Sequence, residues 1–127
     1  MLPPVSMGTP YTVLVPKTDR DGNDVAGIRL PAVAVPTATY TGWALRAPAF
    51  AGNDLCDASG QQIPLLRTKA ERLAAGDPRP SLAERYGTRA RYVKKFARAA
   101  KRLRRQRLLL PEDAVTLTTA AAAAAVP

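Results

Sequence analysis

The 127-residue sequence contains no histidine and a single cysteine, Cys56. The first absence removes the usual general base, and with it the Ser-His-Asp and Cys-His arrangements of nucleophilic catalysis. The two scarcities together exclude the ordinary zinc ligand sets, and one cysteine excludes an intrachain disulfide. Cys56 has no neighbouring base to make it a thiolate, so an inert or structural role is expected. GxSxG, GxxxxGK[ST] and GxGxxG are all absent, and Ser6, Ser59 and Ser81 have no lysine at a telling offset. The residues therefore nominate no catalytic residue, no metal site and no cofactor. Aromatic residues make up only 6% of the chain, and much of its 46% apolar content is alanine, which buries little surface per residue. The expected core is thin and leans on a partner surface. No apolar run approaches the roughly 18 residues of a membrane span. The opening MLPPVSMGTP has neither the basic nor the apolar region of a signal peptide, so a soluble chain, cytoplasmic by default, is expected.

Positive charge is plentiful and sits in one place. The formal net charge is +9, yet Leu82 to Arg107 alone carries eleven Lys and Arg against one acid, Glu84. The remainder holds eight basic residues against nine acidic ones, so all of the excess belongs to this segment. Its cations, among them Arg85, Arg98, Lys101, Arg102 and Arg105, form a candidate surface for an anionic partner, either nucleic acid or an anionic membrane into which Leu108 to Leu110 dip. No aromatic stacking platform accompanies them, and a solvated helix face explains them equally simply, so a nucleic-acid partner is not favoured.

Taken in order, the chain divides into a flexible lead-in (1–10), a hairpin and Pro/Gly-rich extended segment (11–66), a helical region (67–118) and an Ala-rich tail (119–127). The predicted fold class is α+β, mostly α and irregular: a short N-terminal β-hairpin, then extended chain, then two or three α-helices. Tyr11–Val15 and Val25–Leu30 are runs of strand formers around the turn residues Asp21-Gly22. Asp19, Asp21, Asn23 and Asp24 hint at a calcium loop, but Gly22 comes too early and Leu30 stands where a bidentate glutamate is needed, which favours a polar turn. Pro31 to Pro36 is expected to be extended. Trp43, the only tryptophan, follows Gly42 and sits among Thr39, Tyr40 and Thr41. Tyr40, Thr41, Trp43 and Arg46 are the candidates for a ligand pocket or for docking on a larger core. The simpler reading makes Trp43 the main anchor of a small core.

Thr68-Lys-Ala-Glu71 and Ser81-Leu-Ala-Glu84 are capping boxes. The first predicts a helix with Ala70, Leu73 and Ala74 inward. The second predicts a long helix with an apolar stripe through Leu82, Tyr86, Ala90, Val93, Ala97, Ala100 and Leu103, with Gly87 as a weak point. Pro111-Glu-Asp113 opens a third helix whose alanine tail is expected to fray.

The phrases YTVLVPKTDRDGNDVAGIRLPAVAVPTATYTGWALRAP, LCDASGQQIPLLRTKAERLAAGDPRPSLAERYGTRARYV and RLLLPEDA carry a resemblance. Together, from Gly8 to Val115, they are similar to the C-terminal region of a family of large bacterial alpha/beta-hydrolase domain proteins. The resemblance implies hydrolase ancestry, with ester-type bonds the default for the fold and no named substrate. It also implies that the nucleophile serine on its elbow and most of the parallel sheet lie N-terminal to Met1. The chain would then be the C-terminal part of such a protein, inactive alone, with the hydrolase's catalytic core as its partner. KKFARAAKRLRRQR departs from the family's pattern in its charge, which leaves open the alternative of a small basic helical module binding nucleic acid or anionic surfaces.

Overall fold

In the computed structural model, which describes Gly8, Thr12, 14–52, 54–56 and 59–127, the elements run in a fixed order. They are α1 (Pro31–Ala34), β1 (Ala38–Thr41), β2 (Ala44–Leu45), β3 (Leu55–Cys56), β4 (Gln61–Pro64), α2 (Lys69–Ala74), α3 (Leu82–Tyr86), α4 (Arg89–Arg105) and α5 (Pro111–Ala123). The class is α+β, mostly helical and irregular, with short two-stranded antiparallel sheets.

The hairpin lies further along the chain than the strand formers indicate. β1 pairs with β4, Thr39 opposite Ile63, and between them β2 pairs with β3, Ala44 opposite Cys56. The two pairs are successive tiers of one arm. Gly60 is needed at the join, because a Cβ there would stand 2.9 Å from the carbonyl oxygen of Thr41. Upstream, the Lys17–Asp24 stretch makes the expected turn, closed by a single bridge between Thr18 and Asp24. Val25–Leu30 is not a strand: Gly27, at φ +80°, turns the chain out of extended conformation. Tyr11 and Val13 of the first expected strand, and nearly all of the lead-in, lie outside the described residues.

Pro31–Ala34 forms one helical turn where extended chain was expected. Proline at the first helical position loses no needed N–H, and Leu30 O accepts from Val33 and Ala34. Pro36 then holds Val35 out of the helical region, which ends the turn.

Both predicted capping boxes are formed, at Thr68 and at Ser81. Ser81 is fully buried, and the next two N–H groups, of Leu82 and Ala83, donate to the carbonyls of Leu66 and Arg67. The long helix expected from Ser81 onward is two helices. Gly87, at φ +71°, stops α3, and Thr88 caps α4 by accepting from Arg91 N–H. The break resets the helical phase. Leu82, Tyr86, Ala100 and Leu103 are buried as expected, and Tyr92, Phe96 and Ala99 join them, while Ala90 is exposed and Val93 and Ala97 are partly covered.

The core gathers Leu65, Leu82, Tyr86, Tyr92, Phe96, Ala121 and Val126. Tyr86 and Tyr92 meet edge-on with centroids 5.0 Å apart, and Phe96 follows at 5.9 Å from Tyr92. Burial of each such ring contributes about 2 kcal/mol. It also pushes both phenols above their ordinary pKa. Tyr86 Oη donates to Pro36 O at 2.7 Å, tying the chain after α1 to the core. The alanine tail does not fray as expected. α5 extends to Ala123 against α4, Ala121 is buried, and Val126 turns back into the core at 2% exposure. Small side chains on α4 and α5 let the two helices approach closely. Two expectations about packing are corrected here. Trp43 is 53% exposed and outside the core, and α2 buries none of its residues, Leu73 included.

Candidate functional site

The stretch Asp19–Asn23 is shaped by its own side chains. The Asp19 carboxylate accepts from the N–H groups of Asp21 (2.9 Å) and Asn23 (3.1 Å) and from the Arg29 guanidinium. Partial burial pulls its pKa upward, but these donors outweigh it and hold the carboxyl below its ordinary value. Gly22, at φ +77°, brings the backbone so near Thr39 that a Cβ would sit 2.9 Å from the Thr39 methyl. Thr39 Oγ1 donates to Asp21 O, and the Asp21 carboxylate pairs with Arg85, the two side chains 5% and 10% exposed. Asp19 and Asp21 are thus occupied by the chain's own donors. Among the described residues no three His, Cys, Asp or Glu side chains gather as metal ligands would.

Asn23, 1% exposed, continues the construction. Its Nδ2 donates to Ala38 O at 3.1 Å and its Oδ1 accepts from Tyr40 N–H at 2.8 Å, so one side-chain amide pairs with β1 on the edge opposite β4. Arg79 fixes the sheet from another direction. It donates to Thr39 Oγ1 (2.8 Å), Ile63 O (3.1 Å) and Pro64 O (3.3 Å) while its ion pair with Asp77 (2.7 Å) orients the guanidinium. The Arg79 hydrogen bond in turn holds the Asp77 carboxyl below its ordinary pKa. Asn23 drew notice in the sequence only as part of a polar turn and Arg79 not at all, because the strand partners that give each its role lie at least fifteen residues away.

This scaffold frames a cleft of about 490 Å³ between the 15–24 stretch and the end of β1, lined by Val15, Pro16, Thr18, Gly22, Asp24, Tyr40, Thr41, Gly42 and Trp43. Three of the four pocket residues nominated from sequence, Tyr40, Thr41 and Trp43, meet here. Arg46 does not line the cleft. It is exposed beyond β2, its N–H bonded to Asp54 O at 2.9 Å. Thr41 Oγ1 donates to Trp43 O at 2.6 Å, which sets the Trp43 backbone. Two aromatic walls, apolar Val15 and Pro16, and a few oxygens from Thr18, Asp24 and Thr41 suit an amphipathic ligand or an apolar partner surface. They supply no nucleophile with a base beside it.

The cations nominated on the basic segment separate into two kinds. Arg98, Lys101, Arg102 and Arg105 are exposed on α4, and Lys101 joins Arg104 beside a groove between α4 and α5. Arg85 belongs elsewhere. The sequence groups it with the free cations, but it is consumed by the Asp21 pair.

No curated protein and no solved structure matches the chain. A family model described as an alpha/beta hydrolase domain matches residues 2–119, nearly the whole sequence. The cleft, the Asn23 edge and the Arg79 clamp all lie within that match, and the chain belongs to the alpha/beta hydrolase domain family.

Proposed function

We propose that this chain is the C-terminal part of an alpha/beta hydrolase and is not catalytic by itself. Its work is to dock on a catalytic core and border that core's pocket with Tyr40, Thr41 and Trp43. The observation that carries this reading is where the apolar side chains lie. Trp43, Leu14, Val15, Leu45, Phe50 and Leu55, on the strand arm and the segment beside the cleft, are all exposed and stand outside the packed core. Exposed apolar groups gathered this way mark an interaction surface. The residue inventory agrees. With no histidine and no GxSxG, the chain holds neither the base nor the elbow of the family's chemistry. Ester-type bonds are the substrate class proposed for the whole enzyme.

The test is an esterase assay with p-nitrophenyl esters on the isolated chain and on the chain mixed with the catalytic core encoded upstream of the Met1 codon. The isolated chain should give no turnover. Addition of the core should shift Trp43 emission to the blue and change KM for the ester more than kcat. Turnover by the isolated chain, or an upstream region encoding no hydrolase core, would contradict the proposal.

A further inference from the structure

The outer face of α4 is separate from the cleft and has its own chemistry. Arg91, Lys94, Arg98, Lys101 and Arg105 follow one another at steps of three and four residues, which sets them in one line along the helix, all exposed. Among the described residues the ion pairs are Arg29–Asp19, Arg72–Glu84, Arg79–Asp77 and Arg85–Asp21. None touches α4, so among the described residues the five cations of this line have no acidic partner. At the C-terminal end of the line the surface changes. Arg107 takes a left-handed conformation, φ +61°, and Leu108 N–H bonds back to Leu103 O, turning the chain so that Leu108 and Leu110 are exposed at 44% and 59%. Ile28, 60% exposed, shares a depression with Leu108 and Arg102. Bare aliphatic side chains therefore stand beside cations at this end of α4.

We propose that this end of α4 and the cation line form a docking surface for an anionic lipid bilayer. Charge complementarity chooses the anion, and the aliphatic side chains choose the bilayer. A polybasic row is attracted to the negative surface potential, and leucines beside it enter the headgroup boundary, which needs no aromatic ring. Nucleic acid fits less well. Single strands are held by stacking on exposed aromatic rings, and the aromatic residues of α4, Tyr92 and Phe96, point into the core at 4% exposure each. The proposal does not depend on the docking of the Trp43 side, which uses other residues.

The test is cosedimentation of the purified chain with vesicles of phosphatidylcholine alone and of phosphatidylcholine mixed two to one with phosphatidylserine. The chain should bind the second and not the first, and salt should weaken binding. Replacing three cations together (Arg98→Gln, Lys101→Gln, Arg105→Gln) should weaken it about 100-fold. The pair Leu108→Ser and Leu110→Ser should weaken it about tenfold or more while leaving any RNA binding unchanged. All five positions are exposed, so both variants should keep the helical circular dichroism of the parent. The salt series on the parent chain carries the test if either variant fails to fold. Equal binding to both vesicles, no binding to either, or RNA binding stronger than vesicle binding and untouched by the leucine pair would overturn the proposal.

Discussion

Asn23 closes the open edge of β1 with a single amide, donating to Ala38 O and accepting from Tyr40 N–H. Replacement by leucine leaves the buried Ala38 carbonyl and the partly buried Tyr40 N–H without partners, costing about 1–3 kcal/mol for the first and less for the second. Asn23→Leu should therefore lower stability by about 2–4 kcal/mol, read as a fall in the urea midpoint. Since β1 carries Tyr40 and leads to Trp43, the emission of Trp43 should change with it. An unchanged midpoint would show that the edge is held by something else. The turn itself was legible in the sequence, because Asp21-Gly22 has local chemistry that needs no distant partner. The amide's bridge was not, since it depends on where β1 comes to lie. The same limit applies to charge. By sequence Arg85 is one more cation and Trp43 a core anchor; in the fold Arg85 pairs with Asp21 and the core forms away from Trp43.

At the scale of elements, the caps were legible because they are local. Thr68, Ser81 and Pro111 start helices where the sequence places them. The apolar stripe was legible at Leu82, Tyr86, Ala100 and Leu103, but it included the exposed Ala90 and missed Tyr92, Phe96 and Ala99, because Gly87 and Thr88 start a new helix within one expected helix. Prolines misled in one place: Pro31 opened a helical turn. α2 is held by its connections, above all the bidentate pair between Arg72 and Glu84, at 2.6 and 2.9 Å. Glu84 also accepts from Ser81, and these donors, Arg72 foremost, bring its pKa from 4.5 to about 2. A carboxyl whose folded pKa lies below its unfolded one contributes stability that is complete above the unfolded value and is lost as pH falls toward the folded value. Asp77 and Asp19 are shifted in the same direction. Urea midpoints should accordingly fall as pH is lowered through the window from 4.5 to about 2. Glu84→Gln should flatten that slope and lower the midpoint at neutral pH. A parental midpoint that does not change across this window would contradict the assignment. α4 shows the opposite electrostatics. Like charges four residues apart, such as Arg98 and Arg102, each cost about 0.2–0.5 kcal/mol in a helix, a cost that an anionic surface removes.

For the molecule as a whole, the uneven distribution of apolar surface is the central fact. One half, built from α3, α4, α5 and the chain around Leu65, holds the packed aromatic core, although Leu108, Leu110 and Val115 stay exposed there, while the other has no such core and presents Trp43, Phe50 and their neighbours to solvent. Composition pointed toward this, since so few large apolar residues among 127 cannot fill a core and also cover an outer face. Which half would be bare was not legible, because Trp43 has the same hydrophobicity in either place. Under the proposed function, the bare half is completed by a hydrolase core and the isolated chain is a partial domain. Thermal unfolding followed at once by far-ultraviolet circular dichroism and by Trp43 emission tests this most directly. The predicted result is a broad helical transition, with Trp43 emission solvent-like before heating and not following the helix signal. A single sharp transition, coincident by both probes and starting from a buried tryptophan, would mean a complete two-state domain and would contradict the account.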